Sequence, residues 1–172
     1  IPIIGEINGD GTVEGGDCFW IDDSTLAVGR GFRSNGNGVN QLSDILSNFN
    51  IDVLQFDLPI SEDPDACLHL MSVVSPLDHD LALVYEPLLP DGIHGVLVDF
   101  GYELLSAPHD EFASSLGLSL NVLAVSERNV IAIEGFEKTQ ALMREAGCAV
   151  STFAGDELCI PCEGGPTCLI RP

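Results

Sequence analysis

Basic residues are scarce in this sequence of 172 residues, which has six lysines and arginines against 27 aspartates and glutamates, for a formal net charge of −21. Binding to a nucleic-acid backbone or to an anionic membrane surface requires clustered lysine and arginine, so both classes of partner are excluded. The acidic residues are scattered rather than gathered in a tail, which is typical of a folded chain. Together with the single lysine, Lys138, they predict a high-salt habitat.

Long apolar runs are also missing, since none approaches the roughly 20 residues needed to cross a bilayer. The first ten residues, IPIIGEINGD, lack the basic and apolar regions of a signal peptide. We therefore expect a cytoplasmic protein whose six cysteines are reduced. A hydrophobic content of 45% is enough for one domain with its own core, so folding does not require disulfides.

A full set of zinc ligands is missing as well. Cys159 and Cys162 form a C-x-x-C pair, but the sequence has no second such pair and no H-x-x-x-H motif. A closed zinc site needs four ligands, so we expect neither a metal nor another cofactor. A redox or metal-binding role for this pair stays open as an alternative.

One order of elements, strand–strand–helix–strand, is predicted three times from hydrophobic periodicity and turn residues. In the first copy the strands are predicted at 18–21, 26–30 and 51–57, and the helix at 40–49. In the second they are predicted at 68–74, 81–85 and 102–106, with a helix at 91–100. In the third they are predicted at 121–125, 130–134 and 149–153, with a helix at 137–146 that ends at a capping Gly147.

Repetition of this unit predicts an α/β (α+β) fold of the propeller type, in which each unit covers its neighbour's apolar face. The units span approximately 14–57, 67–106 and 120–155, and a final segment covers 159–172. We expect them to belong to a single domain, 1–172. The alternative is an ordinary α+β domain in which the regular spacing is accidental.

Two segments combine reactive side chains with turns or strands in the first half of the sequence. Glu14-Gly15-Gly16-Asp17 precedes a predicted strand, and its glycines let a ligand approach the backbone closely beside two carboxylates. In Cys67–Ser72, strand alternation places His69 on the face opposite Leu68 and Leu70. The competing interpretations are a turn with solvated acids and a histidine that is satisfied within the core.

A third segment, 162–168, ends at Cys168 after a rigid Gly-Gly-Pro turn. Such a turn favours an exposed and reactive thiol, whereas a structural cysteine is usually buried in an apolar strand. The remaining histidines have no partner at informative spacing and are predicted to lie at the surface: His79, His94 and His109.

Five stretches in one order carry a family resemblance: VEGGDCFW (13–20), LAVGRGFRSN (26–35), CLHLMS (67–72), NVLAV (121–125) and GGPTCLIRP (164–172). With them the sequence resembles the guanidine-modifying penteins, which are the arginine deiminases, dimethylargininases and amidinotransferases. The resemblance implies a five-bladed αβ-propeller that binds a small guanidino substrate.

The resemblance also implies roles for five residues. Cys168 is expected to attack the guanidinium carbon, His69 to act as general acid and base, and Glu14 to orient His69. Arg33 is expected to bind the α-carboxylate of the substrate through its bidentate fork. Asp17 is expected to give polar support in the substrate pocket.

Two features depart from the family pattern. Arginine deiminases usually have an aspartate two residues after the histidine, whereas this sequence has Met71 followed by Ser72, which resembles the dimethylargininases. Family members also carry two further units before the EGGD segment, so we expect about three of five units here. A second chain or a homo-oligomer is one expected source of the others, alongside a longer protein or a reduced architecture.

The expected function is therefore a dimethylargininase-like C–N hydrolase. An amidinotransferase and a non-catalytic binding protein of the same fold are the alternatives.

Overall fold

The computed structural model describes residues 2–59 and 68–169. They form two compact units, one of residues 2–59, 68–70 and 90–94 and the other of residues 71–89 and 95–169. Cys67 and the last three residues of the GGPTCLIRP stretch lie outside the described part of the chain.

The first unit contains one three-stranded sheet and one long helix. Its strands are β1 (Cys18–Asp22), β2 (Thr25–Arg30) and β3 (Asp52–Asp57), and α1 (Gly36–Ser47) connects β2 to β3. β1 pairs with β2 in antiparallel orientation, and β3 pairs with β2 in parallel orientation. As the central strand, β2 is almost entirely buried, and its apolar residues pack with those of α1 in a small core: Leu26, Val28, Val39 and Leu46.

The helix α1 begins four residues before its predicted start. Asn35 caps it, since the side-chain Oδ1 accepts a hydrogen bond from the backbone N–H of Gly38 at 2.8 Å, and this offsets the cost of two glycines in the first turn. The helix ends at Ser47, because the chain turns through a left-handed Asn50. Phe49, the last residue of the predicted helix 40–49, is therefore exposed beyond the end of α1.

The second unit contains two sheets with the same connectivity as the first. One is formed by β4 (Val74–Asp78), β5 (Leu81–Val84) and β6 (Glu103–Ser106), the other by β7 (Leu123–Ser126), β8 (Asn129–Ile133) and β9 (Ala149–Phe153). In both, the first pair of strands is antiparallel and the second pair is parallel. The helices of the remaining chain are α2 (Ile93–Asp99), α3 (His109–Ser114), α4 (Glu137–Glu145) and α5 (Pro166–Leu169).

Apolar residues of both sheets, of α4 and of the 3₁₀ turn Leu118–Leu120 form the larger core cluster of the second unit, which includes Leu83, Leu120, Val130 and Met143. Gly147 follows α4 with a φ of +88°, as predicted for a capping glycine. Among the described helices, none is long and apolar enough to cross a membrane.

One predicted strand is wrong. The segment 68–74 was predicted as a strand, but residues Leu70–Ser72 form a 3₁₀ turn, and β4 begins at Val74. The connection between the predicted strands 68–74 and 81–85 was expected to turn at Pro76-Leu77-Asp78, but these residues lie inside β4 and the turn falls at residues 79–80. A proline is tolerated in β4 because it is an edge strand, where a missing N–H need not break the ladder.

Candidate active site

A buried carboxylate organises the polar residues of the first unit. Asp17 ends a 3₁₀ turn directly before β1 and is 1% exposed. Its Oδ2 accepts a hydrogen bond from the hydroxyl of Ser34 at 2.6 Å, and its Oδ1 accepts one from the backbone N–H of Leu70 at 3.2 Å. The same Oδ1 lies 3.1 Å from Nδ1 of His69. One carboxylate thus joins the β2–α1 loop to the segment that carries the histidine.

The contact between Asp17 and Nδ1 of His69 constrains the orientation of the imidazole ring. A carboxylate on Nδ1 favours the neutral tautomer that carries its proton on that nitrogen. In that tautomer Nε2 carries no proton. His69 is partly buried and is not in a strand, so the predicted alternation does not determine its direction.

Gly16 lets the histidine approach the backbone closely. A methyl group at this position would lie 2.9 Å from both Cγ and Nδ1 of His69, which is closer than real Cβ contacts. This steric requirement gives a physical reason for the second glycine of the Glu14-Gly15-Gly16-Asp17 segment.

Glu14 and Arg33 form an ion pair at the surface of the same unit. Oε2 of Glu14 lies 3.5 Å from Nη1 of Arg33, and the two side chains are 45% and 57% exposed. The backbone N–H of Glu14 donates to Oγ of Ser34 at 2.9 Å, so Ser34 links this pair to Asp17. The expected role of Glu14 in orienting His69 stays a prediction, because the carboxylate described at Nδ1 is that of Asp17.

A cavity of about 480 Å³ opens beside the loop that carries Arg33. The ion pair of Arg30 and Asp57, with Nη2 and Oδ1 2.7 Å apart, lies at its wall. Backbone and side chains of the β2–α1 loop and of the end of β3 supply the rest: Gly31, Phe32, Ser34, Asn35, Gly36, Leu58 and Pro59, with Leu68.

Cys168 belongs to the second unit, where it lies in α5 and is exposed. Asn121 directs its amide Nδ2 to Sγ of Cys168 at 3.3 Å. Thr167, which is buried, donates to Oδ1 of Asn121 from its backbone N–H at 2.9 Å and from its hydroxyl at 2.7 Å. The predicted exposure of Cys168 after the Gly-Gly-Pro turn is therefore observed.

The C-x-x-C pair lies on a single helical turn before Cys168. The backbone N–H of Gly164 donates to the carbonyl of Cys159 at 3.0 Å and closes this turn, with Glu163 in a left-handed conformation. Cys162 is exposed, whereas Cys159 is fully buried. Burial, together with the nearby thiols of Cys168 and Cys162, raises the pKa of Cys159, so Cys159 is a poor candidate nucleophile.

The surface histidines lie where they were predicted, in exposed positions. His79 stands between Asp78 and Asp80, and in the described part of the chain these three residues are the group with ligand atoms close enough to share an ion. Arg128 already pairs with both aspartates, at 3.0 Å and 2.8 Å, which satisfies their charge without a metal.

The sequence model described as "Arginine deiminase" matches residues 4–103, more than half of the chain. The chain belongs to the arginine deiminase family. An arginine deiminase of Mycobacterium avium is 28% identical to it, with 93% of this chain and 46% of that protein covered. An uncharacterised protein of Aeropyrum pernix is 26% identical, with 94% and 53% covered.

Solved structures of penteins share the fold of this family member. DDAH from Pseudomonas aeruginosa, complexed with citrulline, matches with a TM-score of 0.69 and 22% identity over 90% of this chain and 53% of that one. An amidinotransferase of saxitoxin biosynthesis from Microseira wollei matches with a TM-score of 0.67 and 17% identity over 81% and 41%. The predicted mixed α/β fold of repeated pentein units is thereby confirmed. The chain spans about half the length of the relatives that it matches.

The functional reading of the sequence did not single out Ser34, Asn121 or Thr167. All three lie inside stretches that carry the family resemblance, and Thr167 directly precedes Cys168. All three are buried polar residues with hydrogen-bond partners. Burial of a polar side chain cannot be predicted from sequence alone, so the location of these residues within the family stretches was the one signal of a functional role.

Proposed function

We propose that this chain supplies the nucleophile and the acid–base residue of a hydrolase that cleaves a guanidinium C–N bond of arginine or a methylated arginine. The observation that carries the proposal is the buried Asp17 carboxylate on Nδ1 of His69. In a chain of this family, an imidazole held in this way has the arrangement of a general acid and base.

In the first half of the reaction, the thiolate of Cys168 attacks the guanidinium carbon and forms a C–S bond. The π electrons of the guanidinium move to nitrogen, which gives a tetrahedral adduct. His69 then donates a proton to the departing amine, and cleavage of the C–N bond leaves a covalent thiouronium on Cys168. Ammonia leaves if the substrate is arginine, and methylamine or dimethylamine if it is a methylated arginine.

In the second half, a water molecule gives a proton to His69 and attacks the thiouronium carbon. The C–S bond breaks, its electron pair restores the thiolate of Cys168, and the protonated ureido product loses its hydroxyl proton to water as it leaves. The negative charge of Asp17 stabilises His69 whenever the imidazole is protonated, so it assists both halves. Burial of Asp17 at 1% exposure favours this role over direct contact with the substrate.

Arg33 is proposed to bind the α-carboxylate of the substrate. Its guanidinium is more than half exposed, and its 3.5 Å contact with Glu14 leaves N–H donors for a second carboxylate. Glu14 is proposed to orient His69. The alternative role is to position the guanidinium of Arg33, with which it forms an ion pair.

Met71 favours a methylated arginine as substrate, because an apolar side chain accommodates alkyl groups better than an aspartate does. The Pseudomonas aeruginosa DDAH structure holds citrulline, which is the ureido compound that this reaction would yield. An amidinotransferase is the second candidate, since one of the structural neighbours is such an enzyme and an amine in place of water would capture the same intermediate.

Product analysis by mass spectrometry tests the proposal. The protein and its Cys168→Ala variant would each be incubated with arginine, monomethylarginine, dimethylarginine and agmatine, at low and high salt. Citrulline from arginine or a methylated arginine, or N-carbamoylputrescine from agmatine, supports a cysteine-dependent hydrolase if wild-type protein alone forms it, and the substrate that is converted names the branch. Ornithine would indicate amidine transfer to an acceptor or a double hydrolysis, and citrulline from the Cys168→Ala variant would refute the proposed nucleophile.

A further inference from the structure

Asn121 follows the 3₁₀ turn Leu118–Leu120 and lies two residues before β7, and its amide contacts the segment that carries Cys168. The residue is 9% exposed and contacts Cys168 and Thr167, which follow it by 47 and 46 residues. All three residues belong to the second unit. Two roles are therefore open to this buried asparagine beside an exposed thiol: it can hold the loop in place, and it can act on the sulfur.

Its hydrogen bonds fix the orientation of the amide. The backbone N–H of Thr167 can only donate, and it lies 2.9 Å from one end of the amide, so that end must be the oxygen. The hydroxyl of Thr167 donates to the same oxygen at 2.7 Å. The other end of the amide, 3.3 Å from Sγ of Cys168, is therefore the NH₂ group. An N–H donor thus faces the sulfur.

Gly165 makes this approach possible. A methyl group at position 165 would lie 2.3–2.6 Å from three atoms of Asn121, among them Cγ and Oδ1. Any other residue there would force the amide or the loop to move. The Gly-Pro-Thr-Cys segment is thus shaped to bring the amide of Asn121 against the cysteine.

We propose that Asn121 is a further catalytic residue whose amide N–H stabilises the negative charge on Sγ of Cys168. The inference rests on the proposed role of Cys168 as nucleophile. A hydrogen bond to an ionised acceptor is about twice as strong as one to a neutral acceptor, so the donor favours the thiolate over the thiol. The same charge returns to sulfur when the C–S bond of the intermediate breaks, so the donor assists both halves of the reaction.

Alkylation by iodoacetamide tests this role without requiring turnover. At pH 7 an ordinary thiol is mainly protonated, so the alkylation rate follows the thiolate population. Peptide mass spectrometry would report Cys168 and the exposed Cys162 separately, and Cys162 serves as the internal reference. Wild-type protein would be compared with Asn121→Ala, Asn121→Asp and Thr167→Val, each checked for folding by circular dichroism.

The order of the two Asn121 variants separates the electrostatic role from a structural one. Alanine removes the donor together with both contacts to Thr167, whereas aspartate keeps acceptors for Thr167 and places an anion at the sulfur. We expect alkylation of Cys168 to fall about 10-fold in Asn121→Ala and further in Asn121→Asp, in keeping with one hydrogen bond to a charged group. Thr167→Val should change it less than about threefold, because the backbone donor remains.

The inference is overturned if Cys168 is alkylated as fast in Asn121→Asp as in Asn121→Ala, or faster, because that order is expected if the amide only holds the loop in place. It is also overturned if neither variant slows Cys168, or if Cys168 reacts no faster than Cys162 in the wild-type protein, a comparison that requires no variant to fold. Absence of citrulline in the wild type would count against the proposed function alone, because the alkylation order does not depend on a substrate.

Discussion

Replacement of Asp17 by asparagine tests the polar centre of the first unit. The change keeps the size of the side chain but removes its charge and one of its two acceptor oxygens. In the structure Oδ1 serves Leu70 and His69 while Oδ2 serves Ser34, so a single amide oxygen cannot satisfy both sides. If the amide oxygen keeps Leu70, its NH₂ group faces the hydroxyl of Ser34, which loses its acceptor.

The expected loss of stability follows from the loss of this one hydrogen-bond acceptor. One hydrogen bond to a buried charged group contributes about 1.5–3 kcal/mol, so we expect Asp17→Asn to lower the free energy of unfolding by that amount. Urea unfolding followed by fluorescence measures it, since the single tryptophan, Trp20, lies in β1 of the same unit. Turnover should fall by about 10²-fold or more, because the protonated imidazole loses its anionic partner.

Asp52→Asn is the matched control. It makes the same chemical change at an exposed position of β3, where a surface substitution should alter the free energy of unfolding by no more than about 0.5 kcal/mol. If Asp17→Asn were as mild as Asp52→Asn in both unfolding and turnover, the account of Asp17 as the buried support of His69 would be refuted.

Three further predictions address the surroundings of the site and the stability of the second unit. Gly16→Ala should push the ring of His69 away from its partner and lower kcat with little change in KM, whereas an equal rise in KM would contradict a purely catalytic effect. Arg33→Ala should raise KM for arginine-type substrates far more than for agmatine, which lacks the α-carboxylate, and equal losses on both would assign it another role. Burial opposes ionisation of Asp78, but hydrogen bonds from His79 and the charges of His79 and Arg128 outweigh this effect, so the pKa of Asp78 is lowered. The stabilisation that ionised Asp78 contributes is therefore present above the pKa of the unfolded state and is lost as the pH falls through the pKa of the folded state. Arg128→Met should therefore move the midpoint of acid unfolding to higher pH, as monitored by circular dichroism, and an unchanged midpoint would contradict this.

The repeated fold could be predicted because each unit carries its own periodic signals. The strands at 149–153 and 52–57 and the helix at 137–145 were predicted within about one residue, since alternation and helical spacing are local properties. The segment 68–74 was mistaken for a strand because its apolar residues alternate like one. Leu70 is buried by tertiary contacts in a 3₁₀ turn, and local pattern does not distinguish the two cases.

The site could be predicted less completely than the fold. The family resemblance located His69, Cys168 and the EGGD segment, but the spacing of these residues in the sequence gave no distances between them. That Asp17 lies at Nδ1 of His69, across 52 residues, depends on how the chain folds. The pairing of Asn121 with Cys168 likewise joins residues that are distant in sequence, and it became visible only in the structure.

The most direct test of the central claim is to trap the covalent intermediate on Cys168. The protein would be mixed with dimethylarginine, quenched in acid, and analysed by intact and peptide mass spectrometry beside Cys168→Ala and, as a matched control at another exposed thiol, Cys162→Ala. The account predicts a mass increase equal to the substrate less one dimethylamine, located on Cys168, retained in Cys162→Ala and absent from Cys168→Ala. An adduct that persists in Cys168→Ala, or citrulline formed at the wild-type rate without Cys168, would contradict it.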